Sequence, residues 1–352
     1  MKVDYIIVGL GLAGLNFAER LVQSGKTFVV FEDQSQTSSL VAGGIYNPVI
    51  LKRFTPVWNA KSQLQIAMPL YESLERKFCQ KLDAKFSTRK VFKSIEEQNN
   101  WYVACDKPQL SEFMNPEIIR EKVSGIHGNF GFGEVYQTGR IDTQQLIFTY
   151  RNYLVEMGCF QQESFEYSKI KLTDSGADYK EFSAKRIVFC EGFGMKKNPF
   201  FQYLPLNGTK GETITIKAKD LDVDFLVKST LFVLPLGKHL YKIGATFQWT
   251  DKTSHPTEGG KSELIEKLNK VISVPYTIVE HHAGIRPTVK DRKPLVGVHP
   301  IHSQLAVLNG LGTRGVMIAP SVAQQLFNFI EKGIPLDSEI DIARFKKPYS
   351  EE

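Results

Sequence analysis

The 352-residue chain is short of cysteine, of long apolar runs and of charge of one sign, and each shortage removes a class of function. Its 4 cysteines, Cys79, Cys105, Cys159 and Cys190, are far apart and include no C-x-x-C pair, so neither a disulfide framework nor a zinc site is expected. Cys190, at the end of Arg186-Ile187-Val188-Phe189-Cys190, reads as a small buried hydrophobe. No apolar run reaches the ~18 residues that cross a bilayer. Met1-Lys2 passes straight into strand-like text with no leader-type apolar region, and a soluble, reduced, cytoplasmic protein is expected. Lys and Arg number 44 against 38 Asp and Glu, a surplus of +6 that is too diffuse for a polybasic tail and argues against a strong nucleic-acid footprint. Repeats and low-complexity tracts are absent too. The length corresponds to about two domains with a sizeable core.

What is present is strand-like text alternating with helical text. Val3-Asp4-Tyr5-Ile6-Ile7-Val8 is nearly continuous apolar sequence, the pattern of a strand covered on both faces. Residues 14–23 are helical in pattern, with Leu15, Ala18, Leu21 and Val22 on one side and Gly25 as a stop. Thr27-Phe28-Val29-Val30-Phe31 is a second buried strand, so the first 32 residues form one βαβ unit with parallel strands. Leu64, Ala67, Tyr71, Leu74 and Phe78 recur at spacings of 3 and 4 and predict a helix. Asp142-Thr143-Gln144-Gln145 resembles a capping box opening another, to about Met157. Residues 211–216 and 240–246 are strand-like. Leu305-Ala306-Val307-Leu308 precedes a glycine-rich turn and an apolar helix to about Phe329, and Pro320 puts the start of that helix near 317–319. The expected fold is α/β. A discontinuous Rossmann-like domain (1–80, 138–207 and 281–352) carries an inserted, mostly antiparallel β-sheet domain (81–137 and 208–280).

Four motifs could carry chemistry. In Gly9-Leu10-Gly11-Leu12-Ala13-Gly14, Gly9 permits a tight turn, Gly11 lets backbone approach a pyrophosphate, and Gly14 lets the helix pack close to the strand. The helix N-terminus then offers N–H groups to phosphates, and Glu32 ends the next strand where a carboxylate would accept from ribose hydroxyls. The motif leaves NAD and FAD equally open. In the stretch from Ser38 to Val49, Ala42, Gly43 and Gly44 would let backbone lie against a planar ring; an ordinary turn before Pro48 is the alternative. Arg286 stands beside Pro287 after an apolar strand, where it could clamp a carboxylate or form a structural salt bridge. Asn309-Gly310-Leu311-Gly312-Thr313-Arg314-Gly315 enters the last helix, whose N-terminus would stabilise a neighbouring anion. Adjacent His281 and His282 point to opposite faces in a strand, so no metal site is expected there.

In order along the chain, Asp4–Gly9, Ala42-Gly43-Gly44 with Asn47-Pro48, Lys210-Gly211-Glu212, Ile243-Gly244-Ala245-Thr246, Gly284-Ile285-Arg286-Pro287 with Asp291, and Asn309–Gly315 resemble the FAD-dependent D-amino-acid oxidase, glycine oxidase and sarcosine oxidase superfamily. The likeness covers nearly the whole chain and is greatest to the small glycine-oxidase-like members. It implies that the discontinuous domain binds FAD and that the inserted domain meets the substrate. Gly9, Gly11, Leu12, Ala13, Gly14 and Glu32 would hold the ADP half, with Gly192 also on the cofactor. Ala42, Gly43, Gly44 and Asn47 would lie along the flavin. Gly310, Gly312, Thr313, Gly315 and Val316 would bring a helix end to its pyrimidine edge. Arg286 matches the arginine that anchors a substrate carboxylate, and Arg314 a second cation nearby. Leu236 and Phe232 depart from the pattern, which puts the substrate pocket in question, and no flavin-linking cysteine stands in place, so FAD is expected to be non-covalent.

The resemblance implies oxidation of an amino acid or secondary amine, by hydride transfer from the carbon next to nitrogen to flavin N5. The partner is then a small amine or amino acid, with no membrane span. A different class is a flavoprotein acting on a carboxymethylaminomethyl-modified tRNA base, for which nucleic acid is the partner. The electron acceptor and the oligomeric state are left open by the sequence.

Overall fold

A computed structural model describes residues 1–345; the end of the expected 281–352 segment lies outside the described residues. The chain divides into two compact units. One comprises Met1–Leu40, Thr143–Thr209 and the chain from Ile285 onward, the other Val41–Asp142 and Lys210–Gly284.

In the first unit, Tyr5, Ile6, Ile7 and Val8 are buried in succession, which requires cover on both faces of their strand, Lys2–Val8. That strand pairs in parallel with Phe28–Phe31 on one side and Phe182–Phe189 on the other. Phe160–Gln161 and Leu305–Asn309 extend the two edges, again in parallel. The helix Leu12–Gln23 makes the crossover between the first two strands. On one face Ile6, Val8, Val29, Phe31, Ile187, Phe189, Leu305 and Val307 form a single core cluster. Side-chain alternation sends Tyr5, Ile7, Val30 and Val188 to the other face, where the ring of Phe17 from the first helix meets Tyr5 edge-on. The helix Leu12–Gln23 packs on Thr143–Glu156 and on Gly315–Lys332, and buried Tyr150 donates to buried Glu19 Oε2 at 3.0 Å between the first two.

The last helix begins at Gly315, earlier than its proline suggested, and Pro320 stands in the second turn. A proline there removes one helical hydrogen bond, but Val316 to Ala323 are all buried, and that burial outweighs the local penalty. The first helix likewise starts at Leu12 and not at Gly14.

Residues 41–80, expected with the first unit, fold with the second. Ile45–Tyr46 pairs with Gly139–Ile141, and Glu75 of the helix Ala60–Phe78 accepts the N–H groups of Leu82 and Asp83 at 2.7 and 2.8 Å. The main sheet of this unit has seven strands in the order Thr277–Arg286, Thr209–Lys217, Leu240–Gly244, Phe232–Gly237, Leu226–Lys228, Thr88–Val91, Phe132–Val135. Its resolved registers are antiparallel except between Leu226–Lys228 and Thr88–Val91. One face holds Val91, Phe132, Ile214, Ile216, Val227, Val233, Tyr241 and Ile243 against Leu264 and Leu268 of the helix Glu258–Asn269. The opposite face is covered at the Phe132–Val135 end by Trp101, of the helix Ile95–Cys105. Trp101 packs against Gly133 and meets Phe54 and Phe92 edge-on at 5.4 and 5.5 Å.

Trp101 is fully buried and its Nε1 donates to Asn115 O at 2.8 Å. Trp101→Ala is expected to cost about 3–5 kcal/mol in urea unfolding. Trp101→Phe, which keeps the ring but strands the carbonyl, is expected to cost about 1–3 kcal/mol. Equal costs for the two would show that the hydrogen bond and not the packing dominates.

Candidate functional site

The strands Lys2–Val8, Phe182–Phe189 and Leu305–Asn309 lie side by side and parallel, so their carboxyl ends open on the same edge of the sheet. In open α/β sheets that edge is where ligands bind. Each strand here runs into a glycine turn.

After the first strand, Gly9 has φ +96°, and a Cβ there would lie 2.7 Å from Cys190 O. A Cβ on Gly14 would lie 2.0 Å from Gly9 O, so the helix can approach the strand only because that position is glycine. A Cβ on Gly11 would meet only the hydroxyl end of Ser39, at 3.1 Å and no backbone. Gly11 caps the helix without a side-chain bond, and Leu12 N donates to Ser39 Oγ at 3.2 Å. The N–H groups of Ala13 and Gly14 belong to the first turn, which has no intrahelical acceptors. Ser39 was missed as a partner because its contact with Leu12 spans 27 residues.

Glu32 ends the second strand. Its carboxylate accepts from Arg151 Nη2 at 3.0 Å and from Gln34 N at 3.0 Å, while burial pushes its pKa up against the pull of Arg151. Nothing in the sequence points to Arg151, which lies 119 residues on, in the helix Thr143–Glu156.

The second glycine turn follows Phe189. Gly192 has φ +54°, and a Cβ there would meet nothing within 4 Å. Its carbonyl accepts from Asn309 Nδ2 at 2.9 Å, tying the second turn to the third. Glu191 beside it is buried, and that burial raises its carboxyl to about 7, against the hydrogen bonds it accepts from Asn198 Nδ2 (2.8 Å) and Tyr167 Oη. Asn198 Oδ1 is held by the N–H groups of Phe200 and Phe201, which fixes the amide with its Nδ2 toward Glu191.

In the third turn Gly310 (φ +72°) packs against Val289, and Gly312 (φ +60°) has open space around its Cβ position. Gly312 N donates to Pro287 O at 3.1 Å, which brings the Arg286-Pro287 corner to the start of the last helix. A Cβ on Gly315 would touch Leu12 Cδ1 at 2.9 Å, so the starts of the first and last helices abut. Thr313 is exposed, Val316 is buried, and Arg314 caps the helix, its pKa lowered by burial and by Arg292. Arg286 is the last residue of Thr277–Arg286, longer than the apolar run the sequence suggested, and burial pushes its guanidinium down to about 10.

In the second unit, Gly44 has φ +66° and a Cβ there would lie 1.8 Å from Ile141 O, so the 42–44 segment is pressed onto Gly139–Ile141. Gly43 carries the ring of Phe232 at 3.5 Å from its Cβ position. Asn47 Oδ1 accepts from Val49 N at 2.8 Å and so closes its own turn around Pro48. The chemistry of the first unit fits a dinucleotide: a helix start capped by glycine, a carboxylate at the second strand end, and open backbone at Gly192 and Gly312.

A profile of the FAD dependent oxidoreductase family (DAO) matches residues 4–328. The glycine oxidase of Bacillus subtilis (strain 168) is 26% identical over 144 residues, and the match spans only 39% of this chain and 39% of that enzyme. The crystal structure of glycine oxidase from Geobacillus kaustophilus superposes with a TM-score of 0.77 at 19% identity, covering 98% of each chain. That of iminodiacetate oxidase from Chelativorans sp. BNC1 gives 0.78 at 16% identity, over 97% of this chain and 98% of that one. At these identities the likeness to the solved structures is one of fold.

Gly14→Ala is expected to lower stability by at least about 2 kcal/mol in urea unfolding, because the added methyl meets backbone oxygen and not a movable side chain. Glu191 should make stability depend on pH. Its folded carboxyl titrates near 7 instead of 4.5, so between those values the folded state holds the extra proton. Stability from this group is therefore greatest below about pH 4.5 and falls by roughly 3 kcal/mol as pH rises to 7. Glu191→Gln is expected to flatten that fall, as read by thermal melts across the window; an unchanged slope would assign it to other groups.

Proposed function

The chain belongs to the FAD dependent oxidoreductase family, and from that premise we propose that it oxidises the C–N bond of an amino acid or a secondary amine. The observation that carries this is Arg286: a guanidinium desolvated at the end of a strand, on a corner held by Pro287 O to the Gly312 turn. Such a cation suits a planar carboxylate, which it can hold by two parallel hydrogen bonds. Support comes also from relatives whose names say glycine oxidase and from a structural neighbour named iminodiacetate oxidase.

In this reading Gly9, Gly11, Leu12, Ala13 and Gly14 hold the cofactor's phosphates on backbone N–H groups and the helix dipole. Glu32, with Arg151 behind it, would take ribose hydroxyls, and Gly192 and Gly312 leave room for backbone-level approach. Ala42, Gly43, Gly44 and Asn47 would supply backbone to the cofactor's ring. Gly312, Thr313, Gly315 and Val316 would offer the positive end of the last helix to negative charge on the cofactor. When bound, FAD would supply the two-electron acceptor for oxidation of the carbon next to nitrogen, and the imine product would hydrolyse in water. Arg286 fixes the substrate carboxylate and so orients that carbon; fixing geometry in this way can contribute ~7–11 kcal/mol of barrier lowering. Arg314 adds a second cation at the helix start. No side-chain base is assigned, because an amine that arrives neutral needs none.

The purified protein is expected to be yellow and to bleach when mixed anaerobically with amino acids or N-methyl amines. Arg286→Met is expected to keep the flavin spectrum while the dissociation constant of a carboxylated substrate rises about 10²–10³-fold, the loss of two charge-assisted hydrogen bonds. A yellow protein bleached by none of these compounds would overturn the small-amine reading and make modified tRNA the substrate to try. A colourless protein that takes up no FAD would overturn the cofactor assignment for this chain.

A further inference from the structure

The strand Phe182–Phe189 leaves the sheet of the first unit through Cys190, Glu191 and Gly192, and Glu191 takes no part in the amine oxidation proposed above. Its backbone lies against the first glycine turn: a Cβ on Gly9 would stand 2.7 Å from Cys190 O and 3.4 Å from Glu191 Cα. Next along the chain is Gly192, open around its Cβ position and held at its carbonyl by Asn309 Nδ2. Glu191 O accepts from Gly194 N at 3.0 Å, so the residue also caps the short 3₁₀ helix Gly192–Lys197. Glu191 thus joins two of the three turns at this edge of the sheet.

The side chain is buried in a cage that supplies no cation. Oε2 accepts from Asn198 Nδ2 at 2.8 Å, and Oε1 accepts from Tyr167 Oη. Asn198 Oδ1 is taken by the N–H groups of Phe200 and Phe201, so toward Glu191 the amide can only donate. The charged group acting on the carboxyl is another acid, Asp33, itself held by Ser35 N at 2.9 Å and Ser164 Oγ at 2.8 Å. Arg151 is engaged by Glu32, and Lys196 and Lys197 are exposed. Burial keeps Tyr167 and Cys190 in their neutral forms, so neither adds charge. Burial also outweighs the two hydrogen bonds to Glu191, with Asp33 adding to it, and holds the carboxyl at about 7.

The neutral acid fits this cage, because Oε2 still accepts from Asn198 while the carboxyl O–H can turn to Tyr167 Oη. The ionised form leaves a desolvated negative charge behind the Gly9 and Gly192 turns. A pyrophosphate at the start of the first helix brings two more negative charges to the same edge. Across about 10 Å, at an effective dielectric of about 20, one pair of like charges disfavours coexistence roughly tenfold. We propose that Glu191 is a positioning residue that must carry a proton for the Gly9 and Gly192 turns to hold FAD, so that FAD binding draws a proton from solvent. By reciprocity, the proton tightens FAD as much as FAD tightens the proton. The proposal rests on the reading that places the pyrophosphate at Gly9–Gly14 and is independent of which substrate is oxidised.

Dilution of the FAD-loaded protein, with released flavin read by its fluorescence, gives the dissociation constant of FAD from pH 5.5 to 9, and circular dichroism confirms that the chain stays folded. The constant is expected to be level below about pH 6.5 and to rise about tenfold by about pH 8.5. Glu191→Gln, neutral at every pH, is expected to vary by less than about twofold over the range. Calorimetric titration of the deflavinated wild type with FAD at about pH 7.5, in phosphate and in Tris, reads proton uptake without any variant, and about half a proton per FAD is expected. A dissociation constant level with pH, a rise that survives in Glu191→Gln, or no proton uptake overturns the proposal and leaves FAD binding standing. A chain that takes up no FAD at any pH overturns the pyrophosphate reading together with it.

Discussion

The first unit depends on one close approach, that of the helix Leu12–Gln23 to the strand before it. With no Cβ at Gly14, the helix start comes down onto Gly9, and Gly9 in turn onto Cys190 and Glu191 of the neighbouring strand end. Any side chain at Gly14 would meet backbone oxygen, which cannot rotate away. The consequence is geometric. Three strand ends are drawn together tightly enough for Asn309 to bond Gly192 and for Gly312 to bond Pro287. The helix dipole, the open glycines and Arg286 are therefore organised by the same packing that stabilises the unit.

Charge is treated in two ways in this protein. Lys210, fully buried, is matched by Asp251 Oδ2 at 2.5 Å and Thr253 Oγ1 at 3.2 Å. Glu212 beside it is matched by His281 and by the N–H and hydroxyl of Thr257 at the start of a helix. These groups satisfy one another and hold two strands to a loop. Lys228 and Arg286 are desolvated with their pKa values lowered, the state in which a cation gains most from an arriving anion. The contrast is in how burial is met: by carboxylate partners at Lys210, and by a lowered pKa at Lys228 and Arg286.

Much of the scaffold was legible residue by residue. Lys2–Val8 and Phe28–Phe31 read as parallel strands because a run buried on both faces has no polar positions to hide. Where local reading went astray, tertiary burial had overridden propensity. Pro320 sits in the second turn of a helix whose whole first half is buried, and residues 41–80 join the second unit through pairing with Gly139–Ile141, almost a hundred residues away. Arg151 and Glu191 were invisible as site candidates because nothing in their neighbouring sequence distinguishes them from surface charges.

The sequence by itself determined the strand–glycine–helix junctions, the family likeness and the placing of Arg286 beside a rigid proline, since each depends on backbone constraints acting over a few residues. Only the tertiary structure decided which charges have partners. Glu32 meets Arg151 across 119 residues, and burial together with repulsion from Lys90 and Lys267 lowers the pKa of Lys228. Desolvation and pairing are properties of the assembled environment, and no local pattern encodes them.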